Sequence, residues 1–555
     1  MTFQAMPVER QRRIKAAIEA ALRDGFNPRG QRGGKGSALT EAARRMTVAG
    51  HDETGRSLAG FLRTQEKRQA SGTEHYAPDW SLYARAGVAP GKIRRGQVRR
   101  WILTAAQDDT DVHPRFFANL QAYAQAMDAE LVVAGFTYQT IRHSDRMTLT
   151  GTYRAEVRPY LRFDRMECGP VLFCAEMNTL PTAVKPLSGL DSYSQGRDAV
   201  FPHAKIAYIT VPQMPGQHVP SLMTTGAVTV PNYVNKKAGL KAEFHHILGA
   251  TIVEVDADDN AWCRQISATP DGAFQDLDFK VSAGRVSAGH RVKAVTFGDI
   301  HLPSVADVVF ENLWGARADS LMERLRPQTQ FFHDLLSFEM SSRHVDQDPL
   351  HWAYMVHRGL HGIEAHIAHG AAFMRSTARD FCQTVMVESN HDDRLKQWTR
   401  RDADRRDIAN ASYWHLCNMT QLDAERDKID KFNLLRWALK RADPQDLDGI
   451  EFVPMGGSFV ICQDSGGIEC GMHGHQGPNG SRGTASGLAR MATRITIGDK
   501  HSPEIVDGVY VAGMTGALDQ GYNTSPTSWR RAHVVAYANG KRSIITQADN
   551  GRWCA

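Results

Sequence analysis

The sequence lacks several features that would assign it to a common class of protein. Among its 555 residues no apolar run approaches the roughly 20 residues that a membrane-spanning helix needs. The first segment, MTFQAMPVERQRRIKAA, is charged and has no apolar stretch of the kind found in secretory signals. The eight cysteines form no CxxC pair, which argues against a zinc ribbon or a disulfide scaffold. We therefore expect a cytoplasmic protein that does not bind membranes.

Motifs for nucleotide-driven chemistry are also missing. The chain has no Rossmann fingerprint and no P-loop, so nothing in it supports a reaction driven by ATP. Its hydrophobic content of 42% and charged content of 23% are ordinary for a globular protein. A chain of this length is too long for one core, and we expect it to form two to four domains.

Positive charge is concentrated at the N-terminal end. Residues 1–100 contain 20 Lys and Arg against 9 Asp and Glu, although the net charge of the whole chain is only +5. A basic segment attached to a mildly acidic body indicates contact with a polyanion at that end.

Residues 1–75 have the pattern of a small helical DNA-binding unit. Ile14, Ile18 and Leu22 recur at helical spacing, and two further short helices are predicted around a turn at Ala49 and Gly50. This segment resembles regulator-type helix-turn-helix modules, which implies contact with DNA through the second helix. The alternative is a helical domain with a solvated basic face. The side chains that would contact DNA are Arg56, Arg63, Lys67 and Arg68.

Two segments of different character follow. Residues 76–100 read as a linker with a basic end, and residues 101–290 as a central α/β domain. In that domain PRFFANLQAYAQAMDA predicts a helix and ELVVAGFTY a buried strand. Its role is open between a scaffold or substrate-binding platform and a second active site.

Polar clusters follow predicted strands at four places in the C-terminal half. They are AVTFGDIH (294–301), CQTVMVESNHDD (382–393), IECGMHGHQG (468–477) and ATRITIGDKH (492–501). Ligand sites in α/β sheets lie beyond the carboxyl ends of strands. Residues i and i+2 of a strand point the same way, so Asp299 with His301, and Asp499 with His501, can each face one metal ion.

The ordered set GDIH, HDLL, SNHD, MHGHQG and GDKH resembles the calcineurin-like metallophosphoesterase superfamily over residues 291–545. The resemblance implies a site for two divalent metal ions, with Mn²⁺ favoured and Mg²⁺, Fe or Zn²⁺ as alternatives. It implies that one ion is held by Asp299, His301 and His501, that Asp334 bridges, and that Asn390, His473 and Asp499 hold the other.

The same resemblance implies roles for the neighbouring side chains. A hydroxide bridging the two ions would attack phosphorus, and His391 would act as the general acid that protonates the leaving oxygen. Asp392 would orient His391, while His475 and Arg482 would contact the substrate phosphate. The sequence departs from the family pattern at Asp499, where a His is usual, and Asp334 lacks the usual G-D-x-x-D context.

The expected fold is therefore α/β (α+β) and multidomain, with a four-layer αββα sandwich at residues 291–545 and a tail at 546–555. The expected function is a metal-dependent phosphodiesterase that acts on DNA. The arrangement also resembles phage-encoded phosphoesterases of DNA degradation, which would place the protein in a host cytoplasm. The alternatives are a DNA-binding regulatory or assembly protein with a degenerate phosphoesterase domain, and a phosphatase of small substrates. DNA is the expected partner, and self-association into a homo-oligomer is left open.

Overall fold

The computed structural model describes residues 98–137, 153–341, 348–401, 407–443, 447, 449–521 and 523–555, together with the alanines at 16, 17, 20 and 21. The chain divides into two compact units, one of residues 1–82 and 139–152 and the other of residues 83–138 and 153–555. Apart from the four alanines, the described residues belong to the second unit. The four predicted DNA-contacting side chains, Arg56, Arg63, Lys67 and Arg68, lie outside the described residues.

Helices and strands alternate along the second unit, which confirms the expected α/β class. The α-helices of the described residues are α1 (Pro114–Ala126), α2 (Lys237–Phe244), α3 (Asp307–Trp314), α4 (Leu321–Leu325), α5 (Pro349–His357), α6 (Ile363–Thr377), α7 (Asp393–Thr399), α8 (Ala411–Arg426), α9 (Leu434–Ala442) and α10 (Ala485–Leu488). None of them is both long enough and apolar enough to cross a membrane.

The strands in the N-terminal half of this unit are β1 (Arg99–Gln107), β2 (Ala129–Phe136), β3 (Leu161–Arg162), β4 (Arg165–Cys168), β5 (Val171–Cys174), β6 (Ala199–Phe201), β7 (Tyr208–Thr210), β8 (Ser221–Thr224), β9 (Gly249–Val255), β10 (Ala261–Ser267), β11 (Phe274–Asp276), β12 (Phe279–Ser282) and β13 (Arg285–Ser287). Those in the C-terminal half are β14 (Ala294–Thr296), β15 (Thr329–Phe332), β16 (Gln383–Val387), β17 (Glu451–Val453), β18 (Val460–Ile461), β19 (Ile468–Glu469), β20 (Ile495–Ile497), β21 (Glu504–Val506), β22 (Val509–Val511), β23 (Ala532–Ala536) and β24 (Arg542–Thr546).

Helix α1 shows how local sequence sets an element of the predicted central region. Pro114 occupies the first turn, where a missing N–H costs nothing, and the His113 side chain accepts from the backbone N–H of Phe116. Phe116, Leu120 and Tyr123 then fall on one face and are buried. That face packs on a five-stranded sheet of order β10-β9-β1-β2-β3 and on the three-stranded sheet β11-β12-β13. The predicted helix and the predicted strand at 130–138 are both confirmed.

A six-stranded sheet of order β17-β16-β15-β14-β23-β24 carries two of the four predicted strand-end clusters, those at 294–301 and 382–393. Its strands β14 to β17 run parallel, so their carboxyl ends meet at one edge. Neighbouring side chains point to opposite faces of the sheet. Phe332 and Met386 face a core formed with helices, which includes Trp314 on α3 and Leu439 on α9. Phe331 faces the other way.

The second face of the six-stranded sheet packs against a ten-stranded sheet of order β18-β19-β20-β22-β21-β7-β8-β6-β5-β4. Phe331 and Val385 of the smaller sheet contact Ile461 and Ile468 of the larger one in a common core. The outer face of the larger sheet is covered in part by α10, whose Leu488 packs with residues of β20 and β22.

Strands from both sides of the predicted boundary at residues 290/291 lie in the ten-stranded sheet. Its two parts join where β7 pairs with β21, at Tyr208 and Ile505. The end of the predicted linker is part of β1, which begins at Arg99. The predicted tail begins at the last residue of β24, and within it Trp553 is 3% exposed and donates its indole N–H to the backbone oxygen of Asp319.

Candidate metal centre

Four predicted metal ligands converge in the second unit. Asp299, His301, Asp334 and His501 each offer one ligand atom, and these atoms all lie within 4.8 Å of one another. Nε2 of His501 is 3.1 Å from Oδ2 of Asp299, and Nε2 of His301 is 3.3 Å from Oδ2 of Asp334. The two Nε2 atoms are themselves 3.1 Å apart. All four side chains are buried, and this group could hold a metal ion.

The strand ends place these side chains. Asp299 and His301 follow β14, Asp334 follows β15, and His501 follows β20 of the other sheet. The backbone continues to pair beyond the strands, because the N–H of Asp299 donates to the oxygen of Gly513 at 3.0 Å and that of His301 to the oxygen of Asp334 at 2.7 Å. The predicted gathering of polar side chains beyond strand ends is therefore present at the ends of β14, β15 and β20.

Local backbone strain accompanies the cluster. Four residues of the two ligand groups have a positive φ, in the left-handed region that residues with a Cβ rarely adopt. The values are 50° for His301, 45° for Asp334, 68° for Asp499 and 57° for His501. Each such residue costs on the order of 1–3 kcal/mol, and strain of this kind collects at functional sites because the surrounding structure holds it. Four strained residues in one group indicate that folding stability is given up to aim these side chains.

A second group of ligand atoms lies on the other side of Asp334. Nε2 of His473 is 3.3 Å from Oδ1 of Asp334 and 3.7 Å from Oδ1 of Asp499. Asp334 thus offers one oxygen to each group, the arrangement that the family resemblance implies for a bridging ligand. Lys500 forms an ion pair with the remaining oxygen of Asp499 and offsets part of the charge that this carboxylate adds.

Buried polar atoms of the cluster are left without a well-aligned hydrogen bond. They are both carboxylate oxygens of Asp299, Oδ1 of Asp334 and Nε2 of His473; Oδ1 of the predicted ligand Asn390 also lacks a hydrogen bond with the described residues. A buried polar group left in this way costs about 1–3 kcal/mol, and such a group calls for an explanation such as a bound ion. Carboxylate oxygens, an amide oxygen and imidazole nitrogens are suitable ligands for Mn²⁺, Fe or Zn²⁺. The residues present therefore fit a metal centre.

The electrostatics of the cluster favour ionised carboxylates. Burial alone would raise the pKa of Asp299, but its contact with His501 and the charge of His473 hold that pKa below its usual value. Burial also opposes ionisation of Asp334, yet His473 and His391 lower its pKa well below the usual range. Burial alone would lower the pKa of His473. The carboxylates of Asp334, Asp299 and Asp499 have the larger effect and raise this pKa to about 9. A cation bound here would replace the proton that the carboxylates draw onto His473.

Comparison with known proteins finds a relative along most of the chain. "Protein A1" of Escherichia phage T5 is 34% identical over 489 residues, which cover 85% of this chain and 86% of the relative. The chain belongs to the A1 protein family. No model of a protein family matches the chain, and no solved structure matches it. The relative is a phage protein, as the sequence resemblance implied.

The predicted general acid of this A1-family protein is oriented by other residues than expected. Nδ1 of His391 donates to the backbone oxygen of Ser337 at 3.0 Å, and its Nε2 accepts from Arg394 at 3.1 Å. Asp392, which we expected to orient His391, instead accepts from the backbone and the hydroxyl of Ser389 at 3.0 Å and 2.9 Å. Burial and the charge of Asp334 raise the pKa of Asp392 to about 8. The expected role of Asp392 as the residue that orients His391 is therefore corrected.

His391 lies against the metal ligands all the same. Its ring meets that of His301 edge to face, with the centroids 4.5 Å apart. Burial, together with the charges of His301 and Arg394, lowers the pKa of His391 to about 3, although Asp334 opposes this. The imidazole is therefore neutral, with its proton on Nδ1 and its Nε2 lone pair directed at Arg394.

The two predicted substrate-binding residues share one glycine-rich loop. The ring of His475 lies 5.4 Å from that of His473, centroid to centroid, and its buried Nδ1 makes no hydrogen bond with the described residues. Arg482 is exposed, and the backbone around it bridges to Gln476. A side chain at Gly483 would meet a backbone oxygen at 1.8 Å, so the close approach of the two arms of the loop requires glycine there. The loop thus holds Arg482 near His475.

The sequence analysis did not identify the residues that contact the metal ligand His501 from its outer side, Trp529 and Arg530. The Trp529 ring packs edge to face on His501 at 4.2 Å, and the N–H of Arg530 donates to the His501 backbone oxygen at 3.2 Å. The Arg530 guanidinium forms a buried ion pair with Asp198 at 2.6 Å and donates to Ser221 at 2.6 Å. Residues at β6 and β8, in the predicted central region, therefore hold Arg530, which in turn contacts His501. No local pattern could reveal an ion pair between residues 332 positions apart.

Proposed function

We propose that this protein is a metal-dependent phosphodiesterase of the calcineurin-like type that acts on DNA. The observation that carries the proposal is the convergence of Asp299, His301, Asp334 and His501 within 4.8 Å, although the two histidines are 200 residues apart in the chain. The second group, His473 and Asp499, shares Asp334 with the first. These six residues, in the same order along the chain, belong to the ligand set that the resemblance to metallophosphoesterases implies, in which Asn390 is the seventh.

The layered arrangement supports the same proposal. Helices cover one face of the six-stranded sheet, and the ten-stranded sheet covers the other. Helix α10 then lies on the outer face of the larger sheet. We interpret these layers as the αββα sandwich of the calcineurin-like fold, enlarged by strands β4 to β8.

The residues around the two groups have distinct roles in this proposal. When bound, two divalent ions would offset the charge that develops on a phosphodiester and supply a nucleophilic water near neutral pH. The neighbouring Arg394 and the loop with His475 and Arg482 would hold the phosphate oxygens. His391 would protonate the leaving oxygen from Nε2 after the Arg394 guanidinium has turned from Nε2 to the substrate and the freed Nε2 has taken up a proton from solvent. The ring returns to its neutral form when that proton passes to the leaving oxygen.

DNA is the proposed substrate because of the charge distribution and the relationship to a phage protein. The basic first 100 residues, with 20 Lys and Arg against 9 Asp and Glu, would bind the phosphate backbone. The relative is a phage protein, which agrees with the predicted resemblance to phage-encoded phosphoesterases. A host cytoplasm is the corresponding proposed location.

The test is hydrolysis of linear, circular and single-stranded DNA in Mn²⁺, Mg²⁺ or EDTA. We expect cleavage that requires the metal ion, and a His391→Ala variant whose kcat is lower by about 10²–10⁴-fold because a general acid contributes that much. The matched control is His369→Ala, an exposed histidine on α6, which should retain wild-type kcat.

Two outcomes would contradict the proposal. Cleavage that persists in EDTA, or a fully active His391→Ala variant, would exclude the proposed chemistry. Metal-dependent hydrolysis of the monoester p-nitrophenyl phosphate without cleavage of any DNA would instead favour a phosphatase of small substrates.

A further inference from the structure

His333 is a buried imidazole beside the metal centre to which the ligand pattern assigns no role. It directly precedes Asp334 at the end of β15 and is 0% exposed. Its Nδ1 lies 3.3 Å from Nδ1 of His473. The two rings are within 28° of coplanar, with their centroids 5.5 Å apart, so the contact runs from nitrogen to nitrogen, edge to edge.

The contact constrains where the protons of both rings lie. Two nitrogens at 3.3 Å share one hydrogen bond, so one Nδ1 donates and the other accepts. The other nitrogen of His473, Nε2, faces Asp334 at 3.3 Å and Asp499 at 3.7 Å. A metal ligand must present a lone pair, so Nε2 of His473 has to be unprotonated when an ion is bound. The proton of His473 is then on Nδ1, and Nδ1 of His333 must accept it.

We propose that His333 is the positioning residue that fixes His473 as an Nε2 ligand of the second metal ion. Ligand histidines generally donate their other N–H to a fixed acceptor, which sets the tautomer and the ring orientation. Carboxylates and backbone oxygens are the usual acceptors, and here a neutral imidazole takes that place. The inference rests on the proposed function, because it requires a second ion at Asp334, His473 and Asp499.

The surroundings of His333 hold its ring for this task. Its backbone oxygen accepts from the N–H of Ile300 at 3.2 Å, in the continued pairing beyond β14 and β15. Its Cβ and Cγ lie 3.0 Å from the position that a Cβ at residue 498 would occupy, so Gly498 leaves just the room the ring needs. Its Nε2 is buried and makes no hydrogen bond with the described residues. The one polar contact of the ring in the described structure is therefore the contact with His473.

The experiment compares His333→Leu with His333→Asn, since both side chains branch at Cγ and have similar size. Asn places an amide oxygen near the position of Nδ1 and can accept from His473, whereas Leu cannot. The probe is Mn²⁺ alone, titrated calorimetrically into the full-length chain after removal of metal. Thermal melting without metal shows whether each variant is folded.

We expect the wild type to bind two Mn²⁺ ions and His333→Leu to bind the first with unchanged affinity. The second ion should bind about 10–100-fold more weakly to His333→Leu, the usual cost of losing the partner of a ligand histidine. His333→Asn should bind both ions within a few-fold of the wild type. Loss of the second ion alone, restored by Asn, distinguishes positioning from general damage to the fold.

Two ions bound to wild type and to His333→Leu with equal affinity would overturn the inference and leave the proposed function standing. A folded His333→Asn variant that loses the second ion would also overturn it, even if His333→Leu fails to fold. A wild type that binds no Mn²⁺ would overturn the metal centre itself, and the inference with it.

Discussion

Asp334→Asn is expected to abolish the binding of both metal ions and to lower hydrolysis by at least about 10³-fold. Asp334 faces His301 with one carboxylate oxygen and His473 with the other, at 3.3 Å each. Asn replaces one oxygen by an amide NH₂, which repels a cation, and it removes the shared negative charge. Metal ions contribute several kcal/mol to a phosphoryl transition state, and each 1.4 kcal/mol is about tenfold in rate.

Thermal melting with and without Mn²⁺ is the measurement, together with the hydrolysis rate. At about 100 times its dissociation constant an ion stabilises the folded chain by roughly 2.7 kcal/mol, so the wild type should melt at a higher temperature in Mn²⁺ and the variant should not. The matched control is Asp348→Asn. Asp348 caps α5 by accepting from two backbone N–H groups, and Asn caps a helix nearly as well. A normal response to Mn²⁺ by Asp334→Asn would contradict the shared role of this carboxylate.

Gly498→Ala is expected to lower kcat/KM by at least about 10²-fold through a single added methyl group. The new Cβ would lie 2.3 Å from Oδ1 of Asp299 and 3.0 Å from the Cβ of His333. These atoms must move apart, and they belong to a predicted metal ligand and to the imidazole beside the metal centre. A displacement of about 1 Å at a reacting centre can cost 10²-fold in rate.

The control for this variant is Gly449→Ala, because an added Cβ there meets no atom within 4 Å. Neither glycine has the positive φ that would add backbone strain to the substitution, so the pair isolates the steric effect. The comparison is made by steady-state kinetics and Mn²⁺ titration on both variants. Equal activity of Gly498→Ala and Gly449→Ala would show that Asp299 is not held where the structure has it.

The sequence predicted the parts of the site that follow from local pattern. Apolar strands that end on Asp299 and His301, or on Asp499 and His501, are visible as short motifs, and the structure brings most of these side chains together. Helix α1 and strand β2 followed from periodicity and from the proline at the helix start. These features depend on neighbours in the chain, and a sequence displays such neighbours directly.

The residues that support the ligands could not be predicted in the same way. Arg394 occupies the position that Asp392 was expected to take because a helical turn carries its long side chain back to Ser337 and His391. The ion pair of Asp198 with Arg530 depends on sheet packing between distant segments. Pairing of β7 with β21 likewise joins two regions that the predicted boundary at residues 290/291 had separated. Such contacts are set by tertiary packing between distant segments. Packing of this kind produces no periodic pattern of hydrophobic residues from which it could be predicted.

The central claim is that two divalent ions bind side by side around Asp334. The most direct measurement is an electron paramagnetic resonance titration of the metal-free wild type with Mn²⁺. We predict that two ions bind per chain and give an exchange-coupled spectrum, because paired ions in such sites lie about 3.5–4 Å apart. No bound Mn²⁺, or only the spectrum of isolated ions at saturation, would contradict the account.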